Sequence, residues 1–211
     1  MRLLVADKLL TEPLDALKHL GIELDYRPDL TTEQLPEAIG DTSILVVRST
    51  KVTEPCIAAA HRLNLIIRAG AGVNTIDVEA ASARGVYVAT CPGKNAAAVA
   101  ELTMAHILAL DRRLVDATTA LRSGRWEKST FQVARGLLGR RLGVAGCGSI
   151  GRLVLDRARA FGMQLFGWSR SLTDARAQAL GVTRCATLQD LAATSDVLSI
   201  HLPLTDQTRG I

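Results

Sequence analysis

Apolar residues in the first ninety positions fall into short unbroken runs, separated by stretches where they recur every three or four residues. The runs are "RLLVA" (2–6), "SILVVRS" (43–49), "LNLIIRAG" (63–70) and "GVYVAT" (85–90), with a shorter "IELDY" (22–26). Unbroken apolar runs of this length mark strands of a parallel sheet covered on both faces. Between them, "TEPLDALKHLG" reads as a helix capped by Thr11 and stopped at Gly21. "TTEQLPEAIGD" reads as a short helix kinked at Pro36, and "TEPCIAAAHRL" as a third helix. Strand and helix alternate as in a doubly wound unit.

From Asn95 the pattern changes. "NAAAVAELTMAHILALDRRLVDATTALRSGRW" keeps helical spacing for about thirty residues and is expected to break only near Gly124. A helix of this length bridges two lobes, which puts the domain boundary at its start and divides the chain into residues 1–95 and 96–211. A second βαβ unit follows in "RLGVAGCGSIGRLVLDRARAFG", with "MQLFGWS" as its next strand. "VTRCA" is a weak strand signal and "DVLSIHLPL" a stronger one, and "DQTRGI" reads as the start of a helix. No internal repeat or low-complexity tract is present. The expected fold class is α/β, with two doubly wound parallel-sheet lobes.

Composition narrows the function. Hydrophobic residues make up 48% of the chain and charged residues 22%, an ordinary globular balance. No apolar stretch reaches the roughly 18 residues of a membrane span, and "MRLLVADKLL" lacks the features of a signal peptide, so a cytoplasmic protein is expected. The net charge of +4 is spread along the sequence and aromatics amount to 3%, which argues against nucleic-acid binding. Cys56, Cys91, Cys147 and Cys185 lie too far apart for a zinc site or a disulfide framework, and they suit a reducing compartment.

The most specific local signal is "GVAGCGSIG", a G-x-G-x-x-G that follows a strand and opens a helix. Gly146 allows the tight turn out of the strand. Gly148 lets a pyrophosphate approach the backbone, and Gly151 lets the helix pack on the sheet. The N–H groups around Ser149 and Ile150, at the positive end of the helix, would then hold the phosphates. A bland alternative is a glycine turn in a fold that binds no nucleotide. About twenty residues on, where an acid normally grips the adenosine ribose, stand Ser169, Arg170 and Ser171. Without the acid, and with a guanidinium that binds phosphate through paired hydrogen bonds, the site suits NADP(H). If Arg170 points to solvent, NAD(H) serves as well.

The ordered set "VVRSTKVT", "IIRAGAGVNTIDVEAASARGVYV", "CPGKNAAAVAELTM", "GRWEKSTF", "LGVAGCGSIG" and "SIHLPLTDQTRGI" resembles the D-isomer-specific 2-hydroxyacid dehydrogenases over essentially the whole chain. The N-terminal half is most similar to the phosphoglycerate branch, whereas "GWSRS" looks like the NADP-using hydroxypyruvate reductases. The resemblance implies a flavodoxin-like substrate domain joined to a Rossmann dinucleotide domain, with hydride transfer between a nicotinamide cofactor and a small 2-oxo or 2-hydroxy acid. It implies that Ala71, Gly72, Val73 and Asn74 bind the substrate carboxylate, and a glycine-bracketed loop after a buried strand has the free N–H groups to do so. Arg48 and Arg68 match arginines on the substrate side. Each is equally read as a strand-end arginine paired with a local acid. Asn95 and the helix from Ala96 match the hinge and the start of the cofactor domain. His201, Leu202 and Pro203 match the segment along the cofactor's adenosine side, and His201 is not the catalytic histidine. His106 is expected to be packed or capped, Cys147 to be a small neutral filler, and Glu101 and Asp77 to be structural.

The family's catalytic His, Glu and Arg come after the segment matching "HLPLTDQTRGI". No catalytic residue is therefore assigned, and no metal is expected. The Rossmann domain reads as incomplete, the chain as a fragment or a short protein without catalysis, and a cofactor-binding interaction module is the alternative function. In the complete family protein the resemblance implies a homodimer, packed through an arm matching "ALRSGRWEKSTFQVARG".

Overall fold

The computed structural model describes residues 1–9 and 11–211, with the side chains of residues 11–13 and 18 left out. The proposed cap uses the Thr11 side chain, which is not among the described side chains. The chain forms two compact units, Met1–Asn95 and Ala96–Ile211. Both are layered α/β structures built on parallel sheets, as the apolar runs predict.

The first unit runs β1 (Arg2–Val5), α1 (Thr11–Lys18), β2 (Glu23–Tyr26), α2 (Leu35–Ile39), β3 (Ile44–Val47), α3 (Glu54–Ala59), β4 (Leu65–Arg68), α4 (Val78–Ala83) and β5 (Tyr87–Thr90). Its five strands lie in the order β2-β1-β3-β4-β5, the flavodoxin-like arrangement. Alternate residues of the central strands feed two cores. Leu4, Leu45, Val47 and Ile66 pack with Leu35, Ile39 and Ile57 on one face. Leu3, Val5 and Val46 pack with Leu14 of α1 on the other. Each fully buried leucine or isoleucine contributes roughly 1.5–3 kcal/mol. Register brings the strand ends level, with Val47 opposite Arg68 and Arg68 opposite Thr90.

Two helix readings need correction here. Pro36 does not kink α2. It stands in the first turn, where its missing N–H costs nothing. The third helix stops at Ala59, because Ala60 is extended and turns its side chain into the core.

The second unit runs α5 (Ala96–Arg112), α6 (Leu114–Arg122), α7 (Lys128–Phe131), β6 (Arg141–Ala145), α8 (Ser149–Ala160), β7 (Gln164–Trp168), α9 (Asp174–Ala179), β8 (Thr183–Arg184), α10 (Leu188–Thr194) and β9 (Val197–Ile200). Its sheet order is β8-β7-β6-β9, so the winding reverses between β6 and β9. Ala100, Met104 and Ile107 of α5 share a core with Val154, Leu155 and Ala158 of α8 and with Leu142, Val144 and Leu165 of the sheet.

The long helix breaks at Arg113, well before Gly124. Arg113 has left-handed backbone angles, φ 50 and ψ 43, and among the described residues no other non-glycine has a positive φ. Such a residue costs roughly 1–2 kcal/mol. Its guanidinium offsets this by pairing with Asp116 at 3.2 Å and lying 4.9 Å from the Phe131 ring centre. "DQTRGI" forms no helix. It makes turns in which the N–H groups of Thr208 and Arg209 both donate to the Thr205 carbonyl. No helix among the described residues is long and apolar enough to cross a membrane.

Candidate functional site

In the first unit the chain ends of β3, β4 and β5 surround a cavity of about 490 Å³. Its walls are Arg48 and Ser49 after β3, Arg68 to Gly72 at and after β4, and Cys91, Lys94 and Asn95 after β5. No acidic residue lines it. Asp7, just past β1, fixes the β3 end. One of its carboxylate oxygens accepts from the N–H groups of Arg48 at 2.7 Å and of Ser49 and Thr50 at 3.0 Å each. Burial alone would raise the Asp7 pKa, but these backbone donors outweigh it and hold the carboxyl below its ordinary value.

The loop after β4 is fixed by Arg68. Its Nε donates to the Arg48 carbonyl at 3.2 Å and its Nη1 to the Gly72 carbonyl at 2.8 Å. Gly70 lies against this guanidinium; a β-carbon there would come within 3.0 Å of it. The alternative of Arg68 pairing with a local acid is not met among the described residues, where backbone carbonyls accept from its guanidinium. The N–H groups of Ala71 to Asn74 have no partner among the described residues. Ala71 and Gly72 line the cavity, whereas Val73 and Asn74 lie in the same exposed loop off its wall. Asp7, Ser49, Cys91 and Lys94 were not among the sequence candidates. An acid directly after the first apolar run was the one available sign of Asp7.

In the second unit the glycine loop lies at the β6–β9 reversal, where open α/β sheets bind ligands. Gly146 has φ 98, and a β-carbon on it would lie 2.5 Å from the His201 carbonyl oxygen. Its N–H donates to the Trp168 carbonyl at 2.8 Å. A β-carbon on Gly151 would stand 2.0 Å from the Gly146 carbonyl oxygen. Gly148 differs: a β-carbon there meets nothing within 4 Å. It precedes α8, whose N-terminus has no side-chain cap, and Ser149 and Ile150 keep their N–H groups free among the described residues. An open cradle that a side chain would fill, beside the positive end of a twelve-residue helix, fits a pyrophosphate.

Ser169, Arg170 and Ser171 form a turn closed by Leu172 N–H on the Ser169 carbonyl at 3.1 Å. Arg170 is exposed, and its guanidinium donates to the Gln207 side-chain oxygen. The residues after β9 therefore meet the turn after β7. His201 N–H continues the ladder to Ala145 at 2.7 Å, and its ring Nε2 lies 2.9 Å from the Ser199 hydroxyl. Burial lowers the His201 pKa by disfavouring the charged ring. Leu202 packs with Trp168 beside Ala145 and Leu191, and Pro203 is exposed, its carbonyl held by Thr208. Cys147 is buried beneath the loop, where burial pushes its thiol pKa up.

Among the remaining residues, Glu101 pairs with Arg157 at 3.0 Å, and Asp77 caps α4 through the Ala80 N–H at 3.0 Å. His106 is neither packed nor capped. It is exposed on α5, because the apolar stripe there turns Met104 and Ile107 inward and leaves position 106 outside. No group of three or more potential metal ligands occurs among the described residues.

Comparison with known proteins gives the family. Residues 104–211 match the family model for the NAD-binding domain of D-isomer specific 2-hydroxyacid dehydrogenase. The whole chain aligns with 40% identity to a D-3-phosphoglycerate dehydrogenase of Methanocaldococcus jannaschii, spanning 40% of that protein. A hydroxypyruvate reductase of Thermotoga maritima is 38% identical over 97% of the chain, which spans 65% of it. The crystal structure of the TT0316 protein of Thermus thermophilus superposes with a TM-score of 0.88 at 31% identity, over 99% of this chain and 67% of that one. The chain thus spans about 40% of the length of the phosphoglycerate dehydrogenase it matches. With the family's cofactor-domain model covering half of its residues, the chain belongs to the D-isomer-specific 2-hydroxyacid dehydrogenase family.

Proposed function

We propose that the chain carries the substrate-carboxylate and cofactor-binding parts of an NAD(P)-dependent D-2-hydroxyacid dehydrogenase acting on a small 2-oxo or 2-hydroxy acid. The observation that carries this reading is the open Gly148 cradle at an uncapped helix N-terminus, at the point where the sheet winding reverses. Gly148, Ser149 and Ile150 bind the pyrophosphate, and His201, Leu202 and Pro203 border the adenosine side. Ala71 and Gly72 donate N–H groups to the substrate carboxylate, with Val73 and Asn74 shaping the loop. Arg48, whose backbone Asp7 fixes, adds positive charge. The cofactor, when bound, supplies or accepts the hydride.

Ser169, Arg170 and Ser171 support a preference for NADP(H), with NAD(H) as the second cofactor. Gln207 holds Arg170 beside the turn, which favours phosphate capture over a solvent-pointing role. No histidine, aspartate or glutamate lines the cavity that holds Arg48. The second reading of these 211 residues, taken alone, is a binding module that holds substrate and cofactor. Self-association into a homodimer uses the apolar groove of α6 and α7, lined by Leu114, Leu121, Trp126 and Phe131. The four unpaired cysteines suit a cytoplasmic setting.

The test is a fluorescence titration with NADPH and NADH. Trp168 lies in the strand that leads into Ser169, and Trp126 is 79% exposed, so a Trp126→Phe background isolates the reporting ring. Saturable quenching that is tighter with NADPH is expected. Absence of quenching by either cofactor refutes the site.

A further inference from the structure

Only Arg113 separates α5 from α6. Sharp helix breaks normally fall on proline or glycine, yet neither occurs between Ala96 and Arg122. The break rests instead on one arginine held in left-handed backbone, φ 50 and ψ 43.

The bend leaves helical bonds unmade. The N–H groups of Leu114, Val115 and Asp116 have no partner among the described residues, and no side chain caps α6. In a continuous helix they would donate to the carbonyls of Leu110, Asp111 and Arg112. Arg113 would then return to ordinary helical angles. Little burial opposes this change: Ala120 is the one buried residue of α6, and α7 has none. The contact that holds the bend from outside α6 is the Phe131 ring, 4.9 Å from the Arg113 guanidinium carbon. At an exposed site such a contact is weak. The chain after α7 is tied to α5, because the Gly136 N–H and the Arg140 guanidinium both donate to Asp111. Straightening would therefore draw α6 away from α7.

We infer that Arg113 is a two-state hinge. α5 and α6 exchange between the bent arrangement, latched by Phe131, and one continuous helix over residues 96–122. The straight form takes apart the apolar groove lined by Leu114, Leu121, Trp126 and Phe131. The hinge thus sets how often that groove is present, and a partner seated in it holds the bend.

Double electron–electron resonance tests the hinge, with spin labels at Leu102→Cys and Arg122→Cys in a Cys91→Ser chain diluted into unlabelled chain. Both labelled positions are exposed. Unbroken helix would set them about 30 Å apart, and the bend shortens this. With no further change, the shorter distance is expected to dominate over a minor long one. Arg113→Ala keeps the backbone strain and removes the guanidinium, and is expected to raise the long population about fivefold, as is Phe131→Leu. Arg113→Gly, at ease in left-handed backbone, is expected to abolish it. A single short distance in all four chains overturns the hinge, as does a long population that Arg113→Gly leaves in place. If neither Arg113→Ala nor Phe131→Leu changes the populations, the latch is overturned. Hydrogen exchange at Leu114, Val115 and Asp116 gives the second reading. Protection there must rise with the long population; a long distance without it means a displaced α6 rather than a continuous helix, and overturns the proposal.

Discussion

Asp7 shows how much one side chain positions. Its carboxylate gathers three consecutive N–H groups at the end of β3 and so fixes the backbone from which Arg48 projects. Asp7→Asn keeps the shape but removes the charge from those hydrogen bonds, and is expected to cost about 2 kcal/mol by chemical denaturation. The pH dependence follows from the sign of the shift. The folded carboxyl has a lowered pKa, so the unfolded chain takes up the proton first. The stabilisation is complete above about pH 4 and is lost as pH falls through the folded value. Asp7→Asn should therefore flatten the acid limb of a stability–pH curve. Arg170 makes the corresponding prediction in the second unit: Arg170→Ala should weaken NADPH about tenfold or more while NADH changes less than about twofold. Equal loss of both would remove the 2′-phosphate role. Neither Asp7 nor Lys94 stands out along the chain, because each acts across strands. Asp7 meets partners 41 to 43 residues away, and Lys94 reaches the cavity through the β4–β5 register. Glycine spacing, by contrast, is local, and the loop at residues 146–151 was legible from the sequence.

At the scale of elements, the strand–loop–helix of β6 and α8 separates packing from binding within six residues. A β-carbon at Gly151 collides with the loop's own backbone, whereas one at Gly148 points into open space. Gly151→Ala is expected to lower the stability of the second unit by about 3 kcal/mol or more. Gly148→Ala should leave stability within about 0.5 kcal/mol and weaken either cofactor at least about tenfold. Thermal melts run with and without cofactor separate the two, and a loss of stability in Gly148→Ala would contradict the open cradle. The strands were legible because both faces of each sheet are covered, which leaves β1, β3 and β4 as unbroken apolar runs. The helix break at Arg113 was not. Residues on either side continue the same periodicity, and the stop depends on Asp116 and on Phe131, eighteen residues on. The end of the chain misled in the opposite way: helix-forming residues there are held as turns by the hydroxyls of Thr205 and Thr208.

For the molecule as a whole, α6 and α7 present Leu114, Leu121 and Trp126 on the surface, the last 79% exposed. A large aromatic ring left open beside an apolar groove is the usual anchor of a protein interface. Trp126→Arg is expected to yield monomers in analytical ultracentrifugation at concentrations where the unmodified chain sediments as a dimer, without a change in NADPH binding. A monomeric unmodified chain would overturn the dimer proposal. The cysteines have a practical consequence of their own. Cys56, Cys147 and Cys185 are buried, and burial raises each of their pKa values, that of Cys56 to about 12. Cys91 alone is partly open, and it lies on the wall of the basic cavity. The molecule thus contains a built-in footprinting probe. A maleimide should label Cys91 first and singly, and the rate at which a bound acid slows that labelling would report occupancy of the cavity without any need for turnover.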